Sequence, residues 1–143
     1  MAENGDRGFR VRALGEIAIR CRDLPAMTDF YEKVIGLERL SGNASDGIVF
    51  FRIAEGFGGH TAVLALFAAE AGAPGTGARS SLHHIALSLP FEEQDAVMRW
   101  YDSLGQPFRI ERFGWIGWQG IFTEDPEGNT VEIVAHHPDL KTR

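Results

Sequence analysis

Ser81-Leu82-His83-His84-Ile85-Ala86-Leu87-Ser88-Leu89 reads as a strand with one polar intrusion. By the two-residue period of a strand, Ile85, Leu87 and Leu89 share one face, and His84, Ala86 and Ser88 share the other. An imidazole therefore stands among small side chains, as if space were left around it. Pro90 ends the strand. Glu92, Glu93 and Asp95 then enrich a first helical turn with acid, as the helix dipole favours. Val97, Trp100, Tyr101 and Leu104 supply an apolar stripe for a helix over 92–104, and Gly105 caps it. Strands are predicted at Phe108–Phe113, Trp118–Thr123 and Thr130–Ala135, with Asp125-Pro-Glu-Gly-Asn129 as the turn between the last two.

The same order occurs upstream. Ala13–Cys21 alternates as a strand, Asp23 offers an N-cap, and Pro25 falls in the first turn of a helix over 24–35. Met27, Phe30, Tyr31, Val34 and Ile35 form its stripe, and Gly36 ends it in a left-handed cap. Strands are expected at Leu37–Leu40, Ile48–Ile53 and Thr61–Phe67, separated by turns at Gly42–Gly47 and Gly56–Gly59. Gly36 and Gly105 are 69 residues apart, Glu16 and His84 are 68 apart, and Ala65 and Glu132 are 67 apart. So constant an offset marks two copies of one β-α-β-β-β unit, each too small to bury its apolar face alone. The expected organisation is a polar arm over 1–12, module one over 13–67, an Ala/Gly/Pro-rich linker over 68–80, module two over 81–136 and a short tail over 137–143.

Composition narrows the function classes. At 143 residues, 44% hydrophobic and 24% charged, the chain suits one soluble domain with a proper core. No apolar run approaches the roughly 20 residues of a membrane span, and the N-terminus does not read as a signal peptide. The single cysteine, Cys21, reads as a small buried hydrophobe in a reducing, cytoplasmic setting. A net charge of −6 without a lysine/arginine cluster argues against nucleic acid as a partner. There is no phosphate-binding loop at a strand–helix junction, no Gly-x-Ser-x-Gly elbow and no Cys-x-x-Cys pair.

Three fragments carry a family resemblance. Asp23-Leu24, Phe30-Tyr31 and Ile35-Gly36-Leu37 form one, His84-Ile-Ala-Leu87 the second, and Phe122-Thr-Glu-Asp-Pro-Glu-Gly-Asn129 with Val131-Glu132 the third. In this order and spacing they resemble the vicinal oxygen chelate superfamily, which includes glyoxalase I, extradiol dioxygenases, methylmalonyl-CoA epimerase and the bleomycin- and fosfomycin-resistance proteins. The resemblance covers roughly residues 13–136. It implies an α+β fold of two paired βαβββ modules, forming a curled mixed sheet around a cleft that holds a divalent metal in the enzymes.

The resemblance also implies four ligand positions, on the first and last strand of each module. They fall on Glu16, Ala65, His84 and Glu132. Alanine cannot bind metal, and it stands where glyoxalase I has a ligand used in proton transfer. Extradiol dioxygenases use two histidines and a glutamate, whereas Glu16 replaces the first histidine here. Strand alternation independently turns Glu16, His84 and Glu132 away from the helix-covered side. Two carboxylates and one imidazole suit Fe, Mn, Zn, Ni or Co, leaning toward the harder ions, and three ligands leave positions open for a substrate or water.

The functional expectation is a metal-dependent enzyme of the glyoxalase/dioxygenase type. It would chelate adjacent oxygens of a small organic molecule, with Glu132 or Glu16 as general base and the reaction class (dioxygenase, isomerase or lyase) open. The alternative is a metal-free, bleomycin-resistance-like sequestering protein. It would use the same cleft, walled by Trp115, Trp118 and phenylalanines. His60 and His136 are candidate cleft residues, whereas His83 is expected on the helix side as a structural residue. Edge strands that would otherwise stay unpaired, together with the resemblance, point to a homodimer.

Overall fold

The structure, a computed structural model, describes residues 8, 10–69 and 82–142. Most of the expected N-terminal arm and linker lies outside the described residues. The order found is β1 (Glu16–Cys21), α1 (Leu24–Asp29), β2 (Glu38–Asn43), β3 (Ile48–Phe57), β4 (His60–Ala68), β5 (Ile85–Ser88), α2 (Gln94–Leu104), β6 (Arg109–Phe113), β7 (Trp118–Glu124) and β8 (Thr130–His136). The β-α-β-β-β unit therefore occurs twice. Each copy makes a four-stranded mixed sheet, ordered β1-β4-β3-β2 and β5-β8-β7-β6. Its first and last strands run parallel, and the remaining pairs are antiparallel. Register makes the repeat concrete. Ala18, Ala65 and Phe50 lie side by side across the first sheet, and Ala86, Glu132 and Phe122 lie side by side across the second.

The helices are delimited by the residues expected. Asp23 Oδ accepts from Ala26 N at 3.0 Å, filling one orphan amide of the first turn. Gly36 and Gly105 adopt φ of 86° and 67°, and behind them Leu37 N and Gln106 N each close a 2.9 Å bond, to Tyr31 O and Tyr101 O. Two details differ from expectation. The first helix is α-helical only to Asp29 and continues as a π-helix over Phe30–Val34, and nothing in its apolar stripe distinguishes an i→i+5 turn from an i→i+4 one. In α2 the buried side is Gln94, Val97, Met98 and Tyr101, while Trp100 and Leu104 stay about half exposed. The expected stripe is thus rotated toward the N-terminal side. Trp100 instead donates its indole N–H to Val34 O at 3.1 Å, tying α2 to the end of the first helix.

The core is shared between the modules. Met27, Phe30 and Tyr31 pack on Val49, Phe51, Leu64 and Leu66 of their own sheet, and Ile85 and Val131 of the second sheet join the same cluster. Fully burying each large apolar side chain contributes about 1.5–3 kcal/mol. A smaller cluster of Tyr101, Ile121 and Ile133 lies under α2.

The turn Asp125–Asn129 is the polar counterpart of this joint. Asp125 Oδ1 accepts from the amides of Glu127 (2.9 Å) and Asn129 (3.0 Å), which holds the turn. Its Oδ2 accepts from Tyr31 Oη at 2.7 Å and Asn129 Nδ2 at 2.8 Å. Glu127 reaches the start of the first helix, where its two oxygens accept from Arg22 N (2.9 Å) and Asp23 N (2.7 Å). A segment that reads in the sequence as a turn and a family motif is also the clasp that fastens module two to module one.

Candidate metal centre

The chemistry-bearing side chains lie on the face of the second sheet turned away from α2. Glu132 sits mid-strand in β8 and is 5% exposed. His84 lies one residue before β5 and is half-buried, with Nε2 3.2 Å from Glu132 Oε1. The Glu132 carboxyl lies over Gly120 on β7. A Cβ built at Gly120 collides with Glu132 Oε2 and comes within 3.0 Å of its Cδ. Glycine at 120 is therefore the seat of this carboxylate. Phe122, directly across from Glu132, flanks His84 with ring centroids 6.2 Å apart, and the Arg109 guanidinium lies 4.4 Å over the Phe122 ring. Burial pushes the Glu132 carboxyl above the usual carboxylate range; His84 and Arg109 pull it back, and Glu111 adds to the rise. A cavity of about 460 Å³, lined in part by Arg109, Phe122, Glu124 and Thr130, opens beside this group.

These two side chains fit two ligands of one divalent ion. Ligand bonds of about 2.0–2.3 Å require donor atoms to lie within roughly twice that of each other, and 3.2 Å satisfies it. The third expected ligand is not beside them. Glu16 is exposed on β1, opposite Val63, and among the described residues no three His, Cys, Asp or Glu side chains gather into one potential site. Ala65 is fully buried in the place that Glu132 occupies in the other module.

The remaining candidates divide clearly. His83 is exposed rather than on the helix side, and its Nδ1 lies 2.8 Å from Nδ1 of His84. Alternation misplaced it because the ladder begins only at Ile85, so residues 82–84 are free of the strand's period. His60 is exposed and packs near Gly15, away from Glu132 on module one. His136 is exposed at the end of β8 opposite Trp118. Trp115 is 73% exposed in the turn after β6. Sequence reasoning missed Gly120, Arg109 and Glu111 as site residues. The signal was present only as cross-strand register, which places Arg109 beside Phe122 and Glu111 beside Gly120.

The family model of the glyoxalase/bleomycin resistance protein/dioxygenase superfamily matches residues 13–133. The chain belongs to this superfamily. Among solved structures, lactoylglutathione lyase from Agrobacterium tumefaciens is 27% identical, with a TM-score of 0.67 over 88% of this chain and 95% of that one. A glyoxalase/dioxygenase from Nostoc punctiforme is 18% identical, with a TM-score of 0.67 over 96% and 97%. The fosfomycin resistance protein FosX from Listeria monocytogenes is 18% identical, with a TM-score of 0.65 over 93% and 100%. The last two likenesses are of fold alone. No curated protein matches the chain significantly. Among the described residues no helix is long and apolar enough to cross a membrane.

Proposed function

We propose that this superfamily member is a divalent-metal-dependent enzyme acting on a small organic molecule with adjacent oxygens. The observation that carries the reading is the His84–Glu132 pair: a half-buried imidazole 3.2 Å from a nearly buried carboxylate, on the open face of a sheet beside a cavity. His84 Nε2 and a Glu132 oxygen would hold the ion. A bound ion would supply Lewis-acid stabilisation of negative charge developing on the chelated oxygens. Glu132 or Glu16, when displaced from the ion, would serve as general base.

Glu16 completes the ligand set in this proposal. Since no third acidic or histidine side chain joins the pair within the described chain, Glu16 would come from the open face of module one in a second copy, in a symmetric homodimer. The ion is Fe, Mn, Zn, Ni or Co.

The second reading is a metal-free sequestering protein. It is favoured by Ala65 at the second ligand position and by the Trp118 ring, 41% exposed on the same face as Phe122 and Phe113. Elemental analysis separates the two readings. The enzyme reading expects a bound transition metal in protein purified without added ions, lost in both His84→Ala and Glu132→Ala. Absence of metal, persisting after dialysis against millimolar Mn(II), Co(II), Ni(II) and Zn(II) and anaerobic Fe(II), would leave only the sequestering reading. Light scattering on the same sample tests the dimer, which a clean monomer of 15.8 kDa would refute.

A further inference from the structure

His83 is the residue that the function proposed above leaves unused. It is exposed, and its ring meets that of His84 edge to face at a centroid distance of 5.0 Å. The two Nδ1 atoms are 2.8 Å apart, which is hydrogen-bond distance. One of these nitrogens must carry the proton and the other the lone pair. The far nitrogen of His84, Nε2, is the one facing Glu132 at 3.2 Å. The hydrogen bond at Nδ1 therefore decides what Nε2 can do.

We propose that His83 is the positioning residue of the metal centre, holding His84 in the tautomer that presents its Nε2 lone pair to the ion. The inference rests on the metal reading of the His84–Glu132 pair. Without metal, His84 Nε2–H donates to Glu132, and His84 Nδ1 accepts from His83 Nδ1–H. With metal on Nε2, His84 would carry a proton on Nδ1 and donate to His83 Nδ1, that proton having crossed the Nδ1–Nδ1 bond from His83. The His84 Nε2 proton leaves, and one is taken up at His83 Nε2. The Nδ1–Nδ1 bond persists in both states. Only a partner that can both donate and accept at that point serves both. The outer partner of a metal-bound histidine fixes ring orientation and basicity, and its loss typically costs 10–100-fold in metal affinity.

Co(II) and Zn(II) are the probes, applied to the full chain as wild type, His83→Ala, His83→Asn and His84→Ala. Because His83 is exposed, the alanine variant should fold and melt as wild type does. The expected result is a Kd for Co(II) raised about 10–100-fold in His83→Ala. His83→Asn, whose amide can donate or accept where Nδ1 does, should stay near wild type. Nitrogen-15 spectra of the Zn(II)-loaded wild type should place the His84 proton on Nδ1. In the metal-free protein it should lie on Nε2, and His83→Ala should lose this fixed preference. Wild-type affinity and an unchanged His84 tautomer in His83→Ala would overturn the inference while leaving the metal reading intact. A wild-type chain that takes up neither ion would remove that reading and the inference with it.

Discussion

The two modules share one backbone plan and use it for different ends. In module one the row across the open face is Ala18, Ala65 and Phe50; in module two it is Ala86, Glu132 and Phe122. One side chain at the centre of the row changes the chemistry. The neighbouring strand changes with it. Ile48 occupies in module one the register position that Gly120 occupies in module two. A carboxylate needs that vacated space, so the module without the carboxylate fills it with a half-buried isoleucine. The helix tyrosines diverge in the same way. Tyr31 and Tyr101 both lie buried, but Tyr31 bonds to Asp125 across the module boundary, whereas the Tyr101 hydroxyl has no hydrogen-bond partner among the described residues. Module two thus supplies both the candidate centre and the clasp, and module one supplies the surface that the clasp holds. Duplication provides the frame, and function follows from the few positions where the copies depart from each other.

The largest effect should come from breaking the clasp. Asp125→Ala removes the acceptor of two amides, Tyr31 Oη and Asn129 Nδ2, so a loss of about 3–5 kcal/mol is expected in urea unfolding. A loss below about 1 kcal/mol would mean that apolar packing alone joins the modules.

Gly120→Ala tests the seat of the carboxylate. The added methyl occupies the volume of Glu132 Oε2, so the side chain must swing away from His84. Metal affinity should fall by about tenfold or more, the scale on which disturbed ligand geometry acts. Thermal stability should fall as well. Wild-type metal affinity in this variant would show that the Glu132 position over Gly120 is irrelevant to binding.

The tyrosines give a matched pair. Tyr31→Phe should cost about 1.5–3 kcal/mol, the range for a hydrogen bond to a charged group. Tyr101→Phe removes a hydroxyl that no group among the described residues satisfies, so it should be neutral or slightly stabilising. Burial pushes the Tyr101 hydroxyl up to about 12, so neither variant should alter pH behaviour near neutrality. Equal costs at the two positions would remove the asymmetry.

The smallest effect is electrostatic. Burial raises the folded-state proton affinity of Glu132, so its ionised form opposes folding. This group favours the folded state below the unfolded pKa of about 4.3, and that contribution is lost as pH rises through the higher folded value. In chelator-treated protein, Glu132→Gln should therefore raise Tm at pH 7 and have little effect below pH about 4. A variant less stable than wild type at pH 7 would show that the His84 contact outweighs desolvation.

Reading the chain alone recovered what local chemistry encodes. The strand periods, the Asp23 cap, the Gly36 and Gly105 ends and the 67–69 residue offsets all follow from neighbours in sequence, and together they identify the module and its duplication. Strand alternation also points to Glu132 and the family motif to His84, and the structure brings these two together. Tertiary structure decided everything that depends on strands meeting. Gly120 under Glu132, Asp125 beneath Tyr31 and Arg109 over Phe122 join residues set by register, which no local signal reports. The same holds for His83, which alternation assigns to the helix side only if the ladder reaches it. Pairing stops at Ile85, the backbone before it is released from the pleat, and the imidazole turns to its neighbour instead.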